Sequence, residues 1–368
     1  MTTQLTEPSV WSRQAGTRSF PLNAWYVAAW SRDVEHRLLA RTICGKKVVM
    51  YRTGAGRVAA LEDACWHRLV PLSKGRLDGD QVVCGYHGLV FNAAGRCTFM
   101  PSQETINPSA CVRAFPAVEK HGFVWIFMGD PALADPAKIA DMHWVDDAAW
   151  AGEGRMTPLA CNYRLVVDNL MDLTHEAFVH TSSIGNSAVA EAPFEVTHGE
   201  RTARVVRWML GIEPPPFWRF QLGQTIKSDG KVDRWQFINF EAPAAVVLDV
   251  GVALAGSGAP QGDRSQGVTA RICHFITPET ESTCFFFWVV RRNFRLDDAE
   301  LTIATRDKNA AIVAEDEAVL SEQQKAMDAN PDAVFYNLNI DGGAMWARRI
   351  VERMIEAETP PLALREAG

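Results

Sequence analysis

Between residues 25 and 130 the chain alternates short apolar and polar runs that are broken by turn residues. WYVAAW (25–30), RTICGKKVVMYRTGAGRVAALED (41–63), QVVCGYHGLVFNAAGRCTFM (81–100) and HGFVWIFMGD (121–130) have the period of two expected of strands. Residues 53–56 and 92–95 carry hairpin-turn chemistry, so a compact antiparallel β domain is predicted over 21–130. DPALADPAKIADMHW, with prolines at 131 and 136, reads as a connector, taken as 131–150. The pattern then changes. RLVVDNLMDLTHEAFVH (164–180) has helical periodicity, and three long strand-like runs follow at 203–210, 233–256 and 272–290. Two helices are predicted near the end, over 297–327 and 342–358. The expectation is an α+β protein: a β domain, then a domain over 151–360 with an antiparallel sheet flanked by helices. Residues 1–20 and 361–368 are expected to be tails.

A length of 368 residues suits two domains with well-buried cores. With 47% hydrophobic and 22% charged residues, the composition is that of an ordinary globular chain. The net charge of −7 gives no reason to expect nucleic acid or an anionic membrane as partner. The longest apolar run, FFFWVV (285–290), is too short to span a bilayer. The N-terminus lacks the charged start and apolar stretch of a signal peptide, so a cytoplasmic location is expected. Cysteines stay reduced there, and closely spaced Cys/His pairs read as metal sites.

One such constellation is Cys65-x-His67 followed by Cys84-x-x-His87, one pair on each of two neighbouring hairpin loops. Zinc fingers pair Cys with Cys and His with His around a helix, whereas here each loop supplies one of each. A [2Fe–2S] cluster with two thiolates on one iron and two imidazoles on the other needs this distribution. Gly85 and Gly88 would let backbone N–H groups approach the sulfurs. The other six cysteines form no such pair and are expected to be buried apolar thiols.

A second constellation lies in DNLMDLTHEAFVH (168–180). On a continuous helix Asp168, Asp172 and His175 share a sector, while His180 sits about 140° from His175. Both imidazoles can meet one metal only if the helix bulges or ends between them. Two histidines and a distant carboxylate make the facial triad of non-haem Fe(II), and the cluster upstream favours that reading, since an electron carrier needs something to reduce. Spacing alone leaves the carboxylate open between Glu315 and Asp316; Glu176 is nearer but stands beside its own histidine. Phe217, Trp218 and Trp235 are read as pocket wall or core, core being the commoner fate.

The motif C-x-H-x16-C-x2-H, with the DNLMDLTHE-type helix and the late E-D segment, resembles the Rieske non-haem iron aromatic oxygenases over nearly the whole chain after residue 20. PPFWR (215–219) and LNIDGG (338–343) are most similar to those of its methoxyaromatic demethylases, vanillate O-demethylases above all. The family commonly has Pro after the first Cys and Gly after the Arg; Trp66 and Leu69 stand there instead. The resemblance implies a helix-grip catalytic domain and assigns Cys65, His67, Cys84 and His87 to the cluster. It assigns His175, His180 and Asp316 to mononuclear Fe(II), leaving Glu315 and Glu317 as solvated charges. Asp172 would bridge His175 to a cluster histidine of a neighbouring subunit in a homotrimer, and Asn169 would line the iron site. It further implies O-demethylation of vanillate or a related methoxybenzoate to a phenol (protocatechuate) and formaldehyde, with electrons from a separate NAD(P)H-dependent iron–sulfur flavin reductase. No flavin or nicotinamide loop is present in the sequence. Rival readings are another oxygenase of this architecture (a ring-hydroxylating dioxygenase, an arylsulfonate methyl hydroxylase, a syringate or lignin-dimer demethylase) and a non-catalytic electron-transfer protein.

Overall fold

The computed structural model describes residues 18–358 and divides the chain into two compact units. The first comprises residues 22–141 together with 277–281, and the second holds the remainder. The connector expected over 131–150 is therefore shared out, with its first part folded onto the β unit: Trp25 Nε1 donates to the Asp135 carbonyl and Lys120 Nζ to that of Ile139.

The first unit contains ten strands: β1 Trp25–Trp30, β2 Leu39–Ile43, β3 Lys46–Arg52, β4 Val58–Glu62, β5 Arg76–Asp78, β6 Gln81–Val83, β7 Val90–Phe91, β8 Cys97–Phe99, β9 Ala117–Lys120 and β10 Phe123–Phe127. They form three antiparallel sheets, ordered β1-β10-β9, β2-β3-β4 and β5-β6-β7-β8. Both turns take the expected form, with Gly56 and Gly95 at positive φ closing them onto Thr53 and Asn92. Val49, Tyr51, Leu61, Leu72, Val82 and Phe91 pack a core around Cys65 and Cys84. Residues 277–281 complete this unit: Thr277 Oγ1 donates to the Val27 carbonyl, and the amides of Cys44 and Gly45 donate to the carbonyls of Pro278 and Glu279.

The second unit is built on a seven-stranded antiparallel sheet. Its strands are β11 Gly154–Leu159, β12 Phe194–His198, β13 Thr202–Ile212, β14 Val232–Glu241, β15 Ala245–Leu254, β16 Gly267–Pro278 and β17 Cys284–Arg292. The order β11-β17-β16-β15-β14-β13-β12 is a meander of hairpins whose last strand pairs with the first. The run at 233–256 is thus two strands joined by a turn. Helices α1 Tyr163–Met171, α2 Glu176–Val179, α3 Ser187–Glu191, α4 Pro216–Leu222, α5 Ala299–Ala329 and α6 Gly342–Glu358 complete it. Asp168 on α1 accepts two hydrogen bonds from Arg348 on α6, at 2.8 and 2.5 Å, tying the two helices. Of the tail expected over 1–20, residues 1–17 lie outside the described residues, as does 361–368. The described remainder is fixed: Phe20 is buried, and the Ser19 carbonyl accepts from Tyr163 Oη and Arg164 Nε. Phe217, Trp218 and Trp235 are all buried. The expectation that the six other cysteines are buried fails at Cys111, which is exposed on an irregular segment after the first-unit hairpins. No helix among the described residues is long and apolar enough to cross a membrane.

His274 on β16 is buried, stacks on Phe286 of β17 with ring centroids 5.3 Å apart, and meets the Val246 carbonyl of β15 through Nδ1. Burial pulls its pKa down from 6.5 to about 4, against the opposing pull of that carbonyl and of the Asp316 charge. Between those values the unfolded chain binds the proton more readily, so this contribution to stability is intact above pH 6.5 and is lost as the pH falls toward 4. His274→Phe should therefore be less acid-sensitive than the parent in that window, by up to about 3 kcal/mol, as read from denaturation midpoints at pH 7 and pH 4.5.

Candidate metal centres

In the first unit the two Cys/His segments fold as two copies of one loop. Cys65 N–H donates to the Val70 carbonyl and Leu69 N–H to the Cys65 carbonyl; Cys84 N–H donates to Leu89 and Gly88 N–H to Cys84, at 2.8–3.1 Å throughout. The fifth residue of each loop has positive φ, 60° at Leu69 and 73° at Gly88. Leu69 thus adopts a backbone region that favours glycine, and its side chain is 74% exposed. Gly85 also meets a packing demand. A Cβ there would stand 2.8 Å from the Lys74 carbonyl oxygen, so its bareness admits a crossing chain. At Cys65, the amides of His67 and Arg68 act on the sulfur.

The loops bury their thiols and expose their imidazoles. Cys65 and Cys84 are 2% and 3% exposed, while the exposed rings of His67 and His87 lie 4.7 Å apart. Burial pushes the Cys65 thiol up to about 11; the His67 amide opposes this, and the Cys84 thiol beside it adds to it. Two inner sulfurs and two outer nitrogens fit a [2Fe–2S] group with Cys on one iron and His on the other.

In the second unit, residues 164–180 do not form one helix. Helix α1 ends at Met171 because Asp172 turns out of it, with φ −129° and ψ 102°. Its carboxylate then caps a new turn, Oδ1 accepting from Thr174 N–H at 2.9 Å, as Asp does at N-caps. A 3-10 turn, Leu173–His175, leads into α2, and His180 lies just past its end. His175 closes the 3-10 turn and His180 stands beyond the last residue of α2, so the helix ends between them, as the 140° separation requires. Glu176 anchors α2 to the sheet: buried at 3% exposure, it accepts from Arg234 Nη2 at 2.7 Å and Gln236 Nε2 at 2.9 Å, both on β14.

Asp316 comes from α5, whose buried stripe of Leu301, Thr305, Asn309, Ile312, Val313, Leu320 and Gln324 places that position inward. Asp316 Oδ1 lies 3.4 Å from His175 Nε2 and 3.1 Å from His180 Nε2, and the three ligand atoms all fall within 4.8 Å of one another. Asn169 Nδ2 donates to the same Oδ1 at 3.0 Å. Burial opposes charge on all three groups, yet their mutual hydrogen bonds and charges prevail: Asp316 lies well below the usual carboxylate range, His175 is raised, and His180 is raised to about 9. Two imidazole nitrogens and one carboxylate oxygen around a common point fit the donor set of a ferrous site, and would leave coordination positions open for other ligands.

Two expectations are corrected here. His175 Nδ1 meets the backbone carbonyl of Asp172 at 2.6 Å and does not bond to its carboxylate, which is used in capping. Glu315 is no solvated charge: its Oε2 stands 2.5 Å from His180 Nδ1. The sequence reading also passed over Arg207, buried on β13, which donates to Thr174 Oγ1 and lies 3.9 Å from Asp172. It passed over Gly185 as well. Gly185 N–H donates to the His180 carbonyl, and a Cβ there would sit 1.8 Å from the Glu176 carbonyl oxygen. Gly185→Ala should therefore displace His180 and weaken ferrous binding by about tenfold or more, while leaving the visible spectrum of the cluster unchanged; metal analysis after dialysis checks this.

Comparison with known proteins agrees with both halves. Residues 24–116 match the Rieske [2Fe-2S] domain, and residues 159–357 match the Vanillate O-demethylase oxygenase C-terminal domain. A vanillate O-demethylase oxygenase subunit from a Pseudomonas species is 46% identical over 318 residues, covering 86% of this chain and 96% of the relative. A second such subunit, from another Pseudomonas strain, is 42% identical over 92% of this chain and 96% of its own length. The crystal structure of dicamba monooxygenase bound to dicamba superposes with a TM-score of 0.83 at 34% identity, over 92% of this chain and 99% of that one. A Rieske domain joined to a catalytic domain of this type, with close relatives along nearly its whole length, places the chain in the vanillate O-demethylase oxygenase family.

Proposed function

We propose that the chain is the terminal oxygenase component of a Rieske-type aromatic monooxygenase that O-demethylates vanillate or a related methoxybenzoate. Electrons would come from a separate NAD(P)H-dependent reductase. The observation that carries this reading is the convergence of His175, His180 and Asp316 from segments about 140 residues apart, in a chain that also holds the paired Cys/His loops. Cys65, His67, Cys84 and His87 would hold the cluster, and His175, His180 and Asp316 the iron. When bound, the two centres would supply two electrons which, with two protons, reduce O₂: one oxygen atom would enter a C–H bond of the methyl group, the other would leave as water, and the resulting hemiacetal would fall apart to a phenol and formaldehyde.

The chain's own residues prepare the site. Oxygen acceptors on both Nδ1 atoms turn both Nε2 atoms toward Asp316, and the Asn169 amide steadies its Oδ1. Asp172 stands between the two centres in role. Its carbonyl holds His175, and its carboxylate is the group proposed to reach His87 of the partner subunit in a head-to-tail homotrimer. Two unlike exposed apolar sets support such an assembly: Trp66, Leu69 and Tyr86 beside the cluster loops, and Phe178, Val334 and Tyr336 in the second unit. A surface that meets a different surface on the next copy makes a head-to-tail contact, and a ring forms when the rotation between copies closes.

His175→Ala and Asp316→Ala should keep the cluster spectrum and lose ferrous ion and turnover by orders of magnitude, since a facial triad has no spare ligand. With a compatible reductase, the parent should release one formaldehyde per NADH from vanillate; ring cis-diols in its place would make it a dioxygenase.

The assembly has its own test. Asp172→Ala and His87→Ala chains, each inactive alone, should regain part of the activity when mixed, because one interface then pairs a normal Asp172 with a normal His87. No recovery in mixtures shown by native mass spectrometry to contain both chains would mean that electrons move within one chain.

A further inference from the structure

Glu315 and Asp316, neighbours on α5, grip the same imidazole at its two nitrogens. Asp316 Oδ1 lies 3.1 Å from His180 Nε2, and Glu315 Oε2 lies 2.5 Å from His180 Nδ1. The hydroxyl of Ser183 donates to that same Oε2 at 3.3 Å. Ser183 N–H and Gly185 N–H both donate to the His180 carbonyl, so the loop after α2 fixes the backbone of the residue whose ring Glu315 holds. The two candidate histidine ligands are therefore supported unequally. The Nδ1 of His175 faces a neutral carbonyl, and that of His180 faces a carboxylate.

An ionised carboxylate only accepts, so Nδ1 of His180 must carry the proton and Nε2 is the nitrogen left for a metal. A carboxylate partner also makes the ring a stronger donor than a carbonyl does, and partners of this kind are worth roughly 10- to 100-fold in metal affinity. The ring is 1% exposed at its side chain and Glu315 is 33% exposed, so the carboxylate is the group that stands between Nδ1 and solvent. We infer that Glu315 is a positioning residue of the mononuclear site, setting the tautomer and donor strength of His180 without touching the metal. The inference rests on the reading of His175, His180 and Asp316 as the iron ligands.

The test uses cluster-loaded protein stripped of its mononuclear metal and titrated with cobalt(II) against a competing chelator. The visible bands of bound cobalt report its ligand field, a readout that a merely structural role would leave alone. Glu315→Gln, which can still accept the Nδ1 proton but carries no charge, should weaken cobalt binding roughly tenfold and shift the bands. Glu315→Ala should weaken it further, up to about a hundredfold. The cluster absorption should be unchanged in both. Binding and bands indistinguishable from the parent in both variants would overturn the inference while leaving the ligand assignment standing. Loss of the cluster or of folding in both would overturn it in favour of a structural role. A parent that binds no cobalt, or binds it equally after Asp316→Ala, would overturn the ligand assignment and the inference together.

Discussion

Glu176 carries a carboxylate into the interior between the two histidines of the catalytic unit, and its pairing with Arg234 is the interaction on which the rest of that centre depends. Helix α2 has four residues, far too few to persist by propensity. It exists because Glu176 must be satisfied: a buried carboxylate without a partner costs several kcal/mol, and Arg234 and Gln236 on β14 supply the partners. With that helix fixed to the sheet, His175 at its start and His180 past its end have little freedom left. The guanidinium is held in turn, its Nη1 donating to the Ile184 carbonyl. A charge pair that includes neither histidine thus aims both.

The cluster loops follow a different logic. There the backbone does the placing, through two identical pairs of main-chain hydrogen bonds, and the side chains are sorted by depth, sulfur inward and imidazole outward. Repetition explains how Leu69 comes to have positive φ: the second loop meets the same demand with Gly88. The strain at Leu69 is local, and its fully formed turn shows that the hydrogen bonds outweigh it.

Much of this was legible in the chain. Alternation located the strands, and the Cys/His spacing and the DNLMDLTHE stretch picked out the four candidate cluster ligands and two of the three candidate iron ligands, each set within a short window; Asp316 lies outside any such window, and only the resemblance pointed to it. The helix break at Asp172 was legible in principle, since Asp-Leu-Thr is an N-cap pattern, but unbroken periodicity masked it. Glu315 was legible as a candidate carboxylate, but its role was not: its partner stands 135 residues away, and only the fold shows which flank of α5 meets His180. The same holds for Glu176 and Arg234, 58 residues apart, and for Gly185, whose value lies in a carbonyl it must not strike. Periodicity reports which face is buried, and it is silent on what that face meets.

The exchange of segments between the units bears on how the protein is made. Residues 277–281, the tip of the hairpin between β16 and β17, belong to the cluster unit, and the described residues before Leu22 belong to the other. Domains emerging from a ribosome usually fold in order, amino-terminal first. Here the first unit still lacks the acceptors for Cys44 and Gly45 when residue 141 has been translated, and gains them only once residue 279 is out. Its final closure is thereby tied to synthesis of the catalytic sheet, which makes maturation of the electron-carrying half a late event that waits for the half it serves.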